Sequence, residues 1–161
     1  MAAIDYFLKL DGISGESKDS KHKGEIEVLS FSFGETQSRP SGIGGGGGAG
    51  KVQMSDFSFT ARTTKASPQL FLSCAQGKHL KEAILTVRKS GGSQQEYLII
   101  KLNDVLVSAY ALGSDEAQSG PHDAFSLNFV KLSYDYKPQK ADGSLDAGVF
   151  FKYDIKGNKE G

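Results

Sequence analysis

The stretch with the most apparent chemistry is Gly45 to Lys51, which reads G-G-G-G-A-G-K. It fits the first seven positions of the phosphate-binding loop G-x-x-x-x-G-K-[ST]. In that loop backbone amides cradle the phosphates, the lysine reaches them and a hydroxyl holds Mg²⁺. Here Val52 stands where the hydroxyl is needed. Such a loop must also open a helix whose N-terminal amides face the phosphates, and the residues after Lys51 read as a strand. Nucleotide hydrolysis is therefore not expected. A run this rich in glycine matches the pattern cheaply, and reads instead as a loop able to lie closely along another surface.

The remaining reactive residue types are scattered. His22, His79 and His122 are far from one another, and nothing in the spacing points to a metal site. Cys74 falls on an apolar helical stripe, which suits a buried thiol better than a nucleophile. No G-x-S-x-G elbow is present. Glu25 and Glu27 share one face of a strand. One strand is a poor frame for an acid–base pair that must face across a cleft, so a solvated or interface-facing pair is the better reading. Lys18, Lys21 and Lys23 are offset by Glu16, Asp19 and Glu25 and make no basic patch. No catalytic, metal-binding or cofactor-binding set emerges, and the chain is not expected to be an enzyme.

Composition narrows the classes further. The chain has 161 residues, the size of one domain, with 19 basic and 19 acidic side chains. A zero net charge argues against a nucleic-acid binder, which needs a basic surplus, and favours association. With one cysteine no intrachain disulfide can form. The start Met1-Ala2-Ala3-Ile4-Asp5 lacks a signal peptide's basic and apolar regions. No apolar run approaches the roughly 20 residues of a membrane helix. A protein made in the cytosol and not inserted into a membrane is expected, exported, if at all, by a route without a signal peptide.

The elements that would carry these residues are mostly strands, because the apolar period is two. Ile4, Tyr6, Leu8 and Leu10 alternate with Asp5 and Lys9. Residues 11–24 read as a surface loop. From Glu25 to Gln37, Ile26 and Val28 share one parity while Leu29, Phe31 and Phe33 share the other, which predicts a bulge. Ser38 to Gly50 reads as a loop, and Ser55 to Thr63 as a strand carrying Phe57 and Phe59 on one face. One helix is expected from Ser67 as N-cap, with Pro68 in its first turn and Gly77 past its end. Its apolar stripe would be Leu70, Phe71, Cys74 and Ala75. Strands then resume over Glu82–Lys89, a Ser90–Ser93 hairpin turn, and a long stretch from Tyr97 to Leu112 interrupted at Asn103-Asp104. A strand beginning at Phe125 and continuing with shifted parity to Tyr136 follows, then a last strand from Val149 to Ile155 and a frayed tail. Seven or eight strands in hairpin order with one helix predict a mainly β, mostly antiparallel small barrel or sandwich.

Five blocks then carry a resemblance: Gly15-Glu16-Ser17-Lys18-Asp19; the Gly44–Lys51 run; Ala75-Gln76-Gly77-Lys78-His79; Leu85 to Gly92; and Asp135 to Gly143. In this order, over nearly the whole chain, they resemble the haemolysin-coregulated protein family, Hcp, the tube protein of the bacterial type VI secretion system. The resemblance implies a single domain over 1–161: a small antiparallel β-barrel of two sheets with one α-helix on its side, related to phage tail-tube proteins. It further implies a homo-hexameric ring with a wide channel, rings stacked into a tube, and secretion through the contractile machine with its sheath and spike proteins. It also implies small effector proteins carried in the channel. An unextended member, without an appended toxin domain, is expected.

Residue roles follow from that resemblance. The loop holding Gly42, Gly44, Gly45, Gly46, Gly47, Gly48 and Gly50 would reach toward a neighbouring ring or subunit. With Phe31 and Phe33 facing the barrel core, Ser30 and Ser32 would face the lumen, an assignment that rests on alternation. Glu25, Glu27, Arg88 and Lys89 are candidate charged contacts between subunits. The competing reading is a monomeric β-barrel that binds a small apolar ligand inside. The abundant Phe and Tyr argue for a filled interior instead.

Overall fold

The computed structural model of the chain describes residues 3–37, 52–90, 94–114, 117 and 120–161. The glycine-rich loop from Ser38 to Gly50 with Lys51, and the Gly91–Ser93 turn, lie outside the described residues. The described strands are β1 (Ile4–Leu10), β2 (Ile26–Ser32), β3 (Glu35–Thr36), β4 (Gln53–Met54) and β5 (Phe57–Arg62), followed by helix α1 (Ser67–Gln76). After the helix come β6 (His79–Lys89), β7 (Glu96–Ser114), β8 (Pro121–Asn128), β9 (Lys131–Tyr136), β10 (Val149–Asp154) and β11 (Lys159–Glu160). All pairings are antiparallel.

Six of these strands close on themselves in the order β7-β6-β1-β2-β5-β8, with β8 bonded back to β7. The two expected layers are thus opposite walls of one closed barrel. β9, β10 and β11 extend the sheet beyond β7, and β3–β4 form a separate ribbon. Closure depends on β7, whose 19 residues let it change partners along its length. Its first part, Leu98 to Asn103, pairs with β9, and its second, Leu106 to Ser114, pairs with β8. The change falls at Asn103-Asp104, where the sequence breaks its alternation. Asp104 adopts a left-handed backbone (φ 54°), a conformation that Asn and Asp tolerate better than most residues. The predicted parity change in β2 is a real bulge. Val28 faces Ala61 and Ser30 faces Thr60, so Leu29 is the extra residue, and it stands exposed.

The barrel interior is apolar and aromatic. Phe31, Phe59, Phe125 and Tyr110 lie in register across β2, β5, β8 and β7. Phe57 stacks on Phe59 (4.9 Å between centroids) and on Phe33 (5.1 Å), and Phe59 stacks on Phe125 (5.3 Å). Leu8, Leu85, Ile100, Leu102, Val105 and Leu127 complete the packing. Each such side chain contributes roughly 1.5–3 kcal/mol on burial.

Four local expectations are corrected. Ala66, not Ser67, is the helix N-cap. The Ser67 hydroxyl accepts from the Thr64 N–H (3.0 Å) and donates to Asp123, so it is taken before it can cap. The buried side of α1 carries Ser67, Leu70 and Ser73 with half-buried Cys74, whereas Phe71 is 61 % exposed and Ala75 is also exposed. The anchor at Ser67 sets the helix's rotation and turns Phe71 outward. The stretch from Phe125 to Tyr136 is two strands meeting at Phe129-Val130, both paired to β7. The C-terminal tail folds back as β11, pairing Tyr153 with Glu160 and Asp154 with Lys159. The C-terminal end of α1 matches expectation: Gly77 is left-handed (φ 61°), and Lys78 N–H closes on the Ser73 carbonyl at 3.0 Å.

Candidate functional site

The aromatic row inside the barrel fixes what the outside must show, because neighbours along a strand point to opposite faces. Flanking that row are two others on the outer wall. One runs Ser30, Thr60, Ala124, Ala111; the other runs Ser32, Ser58, Ser126, Ala109. All eight are small. They line a shallow concavity of about 370 Å³. Hydroxyls meet across strands, Ser30 with Thr60 at 2.5 Å and Ser58 with Ser126 at 3.1 Å. Such a wall is wettable, without charge, and offers no large side chain to grip a partner. Both Ser30 and Ser32 are exposed on it, while Phe31 turns inward beside Tyr6 and Phe57.

A polar node holds the top of this wall. Asp123 on β8 is 2 % exposed, and among the described residues no cation pairs with it. It accepts hydrogen bonds from Thr63 (3.0 Å), Tyr110 (2.9 Å) and Ser67. Three hydroxyls from β5's end, β7 and α1 thereby satisfy a buried carboxylate. Burial raises the Tyr110 phenol above its ordinary range, and the bond to Asp123 adds to this. The arrangement tethers the helix to the barrel. Residue types alone could not reveal it, since Asp123 sits beside His122 in what reads as a turn-rich segment.

The candidate charged contacts separate on inspection. Glu27 is exposed on β2, and Lys89 donates to Gln139 at 2.5 Å. Glu25 faces inward to His22, its carboxylate 2.9 Å from Nδ1. Arg88 is corrected as a surface residue: only 3 % exposed, it donates to Asp5 (3.2 Å) and makes a paired contact with Asp19. The paired donors hold the Asp19 carboxyl down at about 2 and raise Arg88 in turn. Arg88 also lies 4.7 Å over the Phe7 ring. Its work is to fasten the connection between β1 and β2 against β6, which its place in the strand sequence does not reveal.

Other reactive groups stay apart. Among the described residues no three His, Cys, Asp or Glu side chains group as metal ligands, and no helix is long and apolar enough to cross a membrane. His79 meets Asp104 at 3.0 Å in an exposed pair. The residues following Lys51 enter strand β4, not a helix, so the context of a phosphate loop is missing on that side. The barrel interior, filled by Phe57, Phe59 and Phe125 at 2 % exposure or less, leaves the apolar-ligand reading without support.

Among the described residues, two groups of sequence-adjacent exposed apolar side chains stand out. Phe71 and Leu72 belong to α1, with Phe71 edge-on to Tyr110, and Val149, Phe150 and Phe151 belong to β10. Both exceed scattered single exposures and mark surfaces suited to contact.

A profile of the family described as "Type VI secretion system effector, Hcp" matches residues 7–136. The chain is 46 % identical to Protein hcp1 of Pseudomonas aeruginosa over 158 residues, covering 97 % of this chain and 98 % of that protein. A solved structure of a type six secretion system protein superposes with a TM-score of 0.90 at 28 % identity, over 99 % of this chain and 100 % of the other. Hcp1 from Salmonella typhimurium gives a TM-score of 0.77 at 36 % identity, with 99 % of each chain covered.

Proposed function

The chain belongs to the Hcp family of type VI secretion system proteins, and from that membership we propose that it is a structural subunit of the secreted inner tube. Six copies form a ring, rings stack end to end, and the wall of small residues faces the channel. The observation that carries this reading is the paired Ser/Thr/Ala rows over a filled aromatic interior. A barrel with nothing to bind inside and a smooth, uncharged outer wall suits a passage through which other proteins slide. Ser30 and Ser32 then contact small effector proteins carried in the lumen. Glu27 and Lys89 act at subunit boundaries, with Glu25 contributing only if its bond to His22 opens. The segment holding Gly42, Gly44 to Gly48 and Gly50 serves ring stacking. The tube meets a sheath outside and a spike at its tip, and leaves the cell through the type VI secretion system. The small-molecule partner of an enzyme has no place in this scheme.

Solution mass and negative-stain imaging test it. The expected result is a particle near six subunits with an open centre. A monodisperse monomer at high concentration would overturn the proposal. Ser32→Arg and Thr60→Arg keep the ring but abolish co-purification of effectors. Loss of the ring in both variants would place the wall at a subunit boundary instead. Deletion of Gly44 to Gly48 weakens stacking more than ring formation.

A further inference from the structure

We propose that the connection between β1 and β2, with Lys9 beside it, is a docking surface for an acidic segment of a partner protein. By count the stretch from Asp11 to Glu25 is slightly acidic, with Lys18, Lys21 and Lys23 against Asp11, Glu16, Asp19 and Glu25. The fold separates the two signs. Asp19 turns inward to the buried Arg88 guanidinium and also accepts from the Lys21 N–H (2.9 Å). Glu25 lies 2.9 Å from the ring of buried His22, whose other nitrogen meets Glu96 at 2.7 Å. Glu16 accepts from the Lys65 N–H at 3.3 Å. Three of the four carboxylates are thereby engaged within the molecule.

The lysines go the other way. Lys9, Lys18, Lys21 and Lys23 are all exposed, and among the described residues none of them forms a salt bridge. Lys9, Lys21 and Lys23 border one concavity of about 470 Å³, where Ser14 and Ser20 add hydroxyl donors and Asp11 is the remaining exposed carboxylate. A stretch that offsets its charges in sequence therefore presents cations on its surface. Ammonium groups only donate hydrogen bonds and carboxylates only accept them, so a carboxylate-bearing segment complements this lining. A nucleic acid fits less well. The lysines gather on one small concavity, not along a stripe that a phosphate backbone could follow, and no aromatic side chain lines it for a base to stack on. Asp11 repels a continuous polyanion, whereas a protein segment can set a neutral or basic residue against it. β1 stands three places from β8 either way round the six-stranded barrel. The surface therefore faces away from the wall of small residues, and a single chain is enough to form it.

The test is the fluorescence anisotropy of a labelled oligoglutamate peptide titrated with the full-length protein. Binding is expected in about 50 mM salt and should fade by about 300 mM, as screening shortens the reach of surface charges. Lys21→Glu with Lys23→Glu removes two attractions and adds two repulsions, and should weaken binding about tenfold or more. Lys9→Gln removes one exposed pair and should weaken it by up to about fivefold. Lys78→Glu with Lys159→Glu makes the same change in net charge elsewhere on the surface and should leave binding unchanged. No binding, or equal weakening by the two paired variants, overturns the proposal. Tighter binding of an oligothymidylate of equal charge also overturns it, and assigns the surface to nucleic acid. A solution mass lowered by the Lys21 and Lys23 changes alone assigns the surface to a second copy of the chain, and likewise overturns it.

Discussion

Gly15→Ala isolates the close approach on which the β1–β2 connection is built. A Cβ at Gly15 would lie 2.5 Å from the Glu25 carbonyl oxygen, 2.8 Å from its carbon and 2.9 Å from the Ile26 Cα. All three are backbone atoms, so no rotamer change relieves the clash. Restoring ordinary contact moves one chain away from the other by roughly an ångström, the difference from normal carbon contact distances. Two backbone bonds span this gap, Gly15 to Gly24 at 2.8 Å and Ser17 to Glu25 at 3.1 Å, and that displacement breaks both. Each is worth about 1 kcal/mol net, and a buried donor left unpaired costs about 1–3 kcal/mol. Ser17 is only 5 % exposed, so the penalty applies at its amide. Against this, replacing glycine removes unfolded-state freedom worth about 0.4–1 kcal/mol. The expected net loss is about 2–3 kcal/mol, read as a lowered denaturant midpoint with unchanged slope. Gly34→Ala is the matched control, because its added Cβ meets nothing within 4 Å and its backbone is not left-handed. It should be neutral or slightly stabilising. Equal midpoints for the two variants would refute the steric argument.

Three further outcomes follow from the same contacts. Phe57→Ala, at 0 % exposure between Phe33 and Phe59, should cost about 3–5 kcal/mol in thermal or denaturant unfolding, whereas Phe71→Ser on the outer side of α1 should stay within about 0.5 kcal/mol. Asp19, held at about 2 by Arg88, favours the folded chain above the ordinary carboxylate range and loses that contribution as pH falls toward about 2. In an acid titration followed by circular dichroism, Arg88→Met should therefore lose its deficit against wild type over that interval. Tyr97 and Tyr110, both raised by burial, should ionise after the exposed tyrosines in an ultraviolet titration, and Tyr110→Phe should remove one late step.

Much of the barrel was legible because strand alternation is set by the same burial that builds the core. Phe57 and Phe59, the Leu29 bulge and the break at Asn103-Asp104 all show as parity in the chain. The outward serines follow by the same rule, as the complement of the phenylalanines. The charged residues did not read so well. Arg88 looks like a surface cation in an alternating strand, yet partners 83 and 69 residues distant draw it inward. His22 reads as a loop histidine for the same reason, since Glu96 lies beyond any local window. The helix was found by its end signals, but its rotation depends on Asp123, again a partner remote in sequence. Local pattern thus yields elements and faces, and long-range polar bonds decide which polar side chains leave the surface.

Closure of the barrel also changes how copies can meet. A neutral β protein with open edges could associate by adding strand to strand. Here β1, β2, β5, β6 and β8 each have a bonded neighbour on both sides, so that route is blocked around most of the wall. Among the described residues, edges remain at β11, in the two-residue β3–β4 ribbon, along β7 past Leu106, where α1 packs, and where β1 before Phe7 and β2 after Glu27 part from each other. Two-residue strands present too few amides for a stable added pairing. The association proposed above would then rest chiefly on side chains, and the exposed groups on α1 and β10 differ from each other in shape and position. Two unlike patches on one subunit favour head-to-tail contacts, which close into a ring when the rotation between neighbours divides a full turn. Phe71→Ser and Phe150→Ser made separately should then each weaken the proposed ring while leaving the monomer's unfolding midpoint nearly unchanged. Rings of normal mass in both variants would remove these patches from the interface.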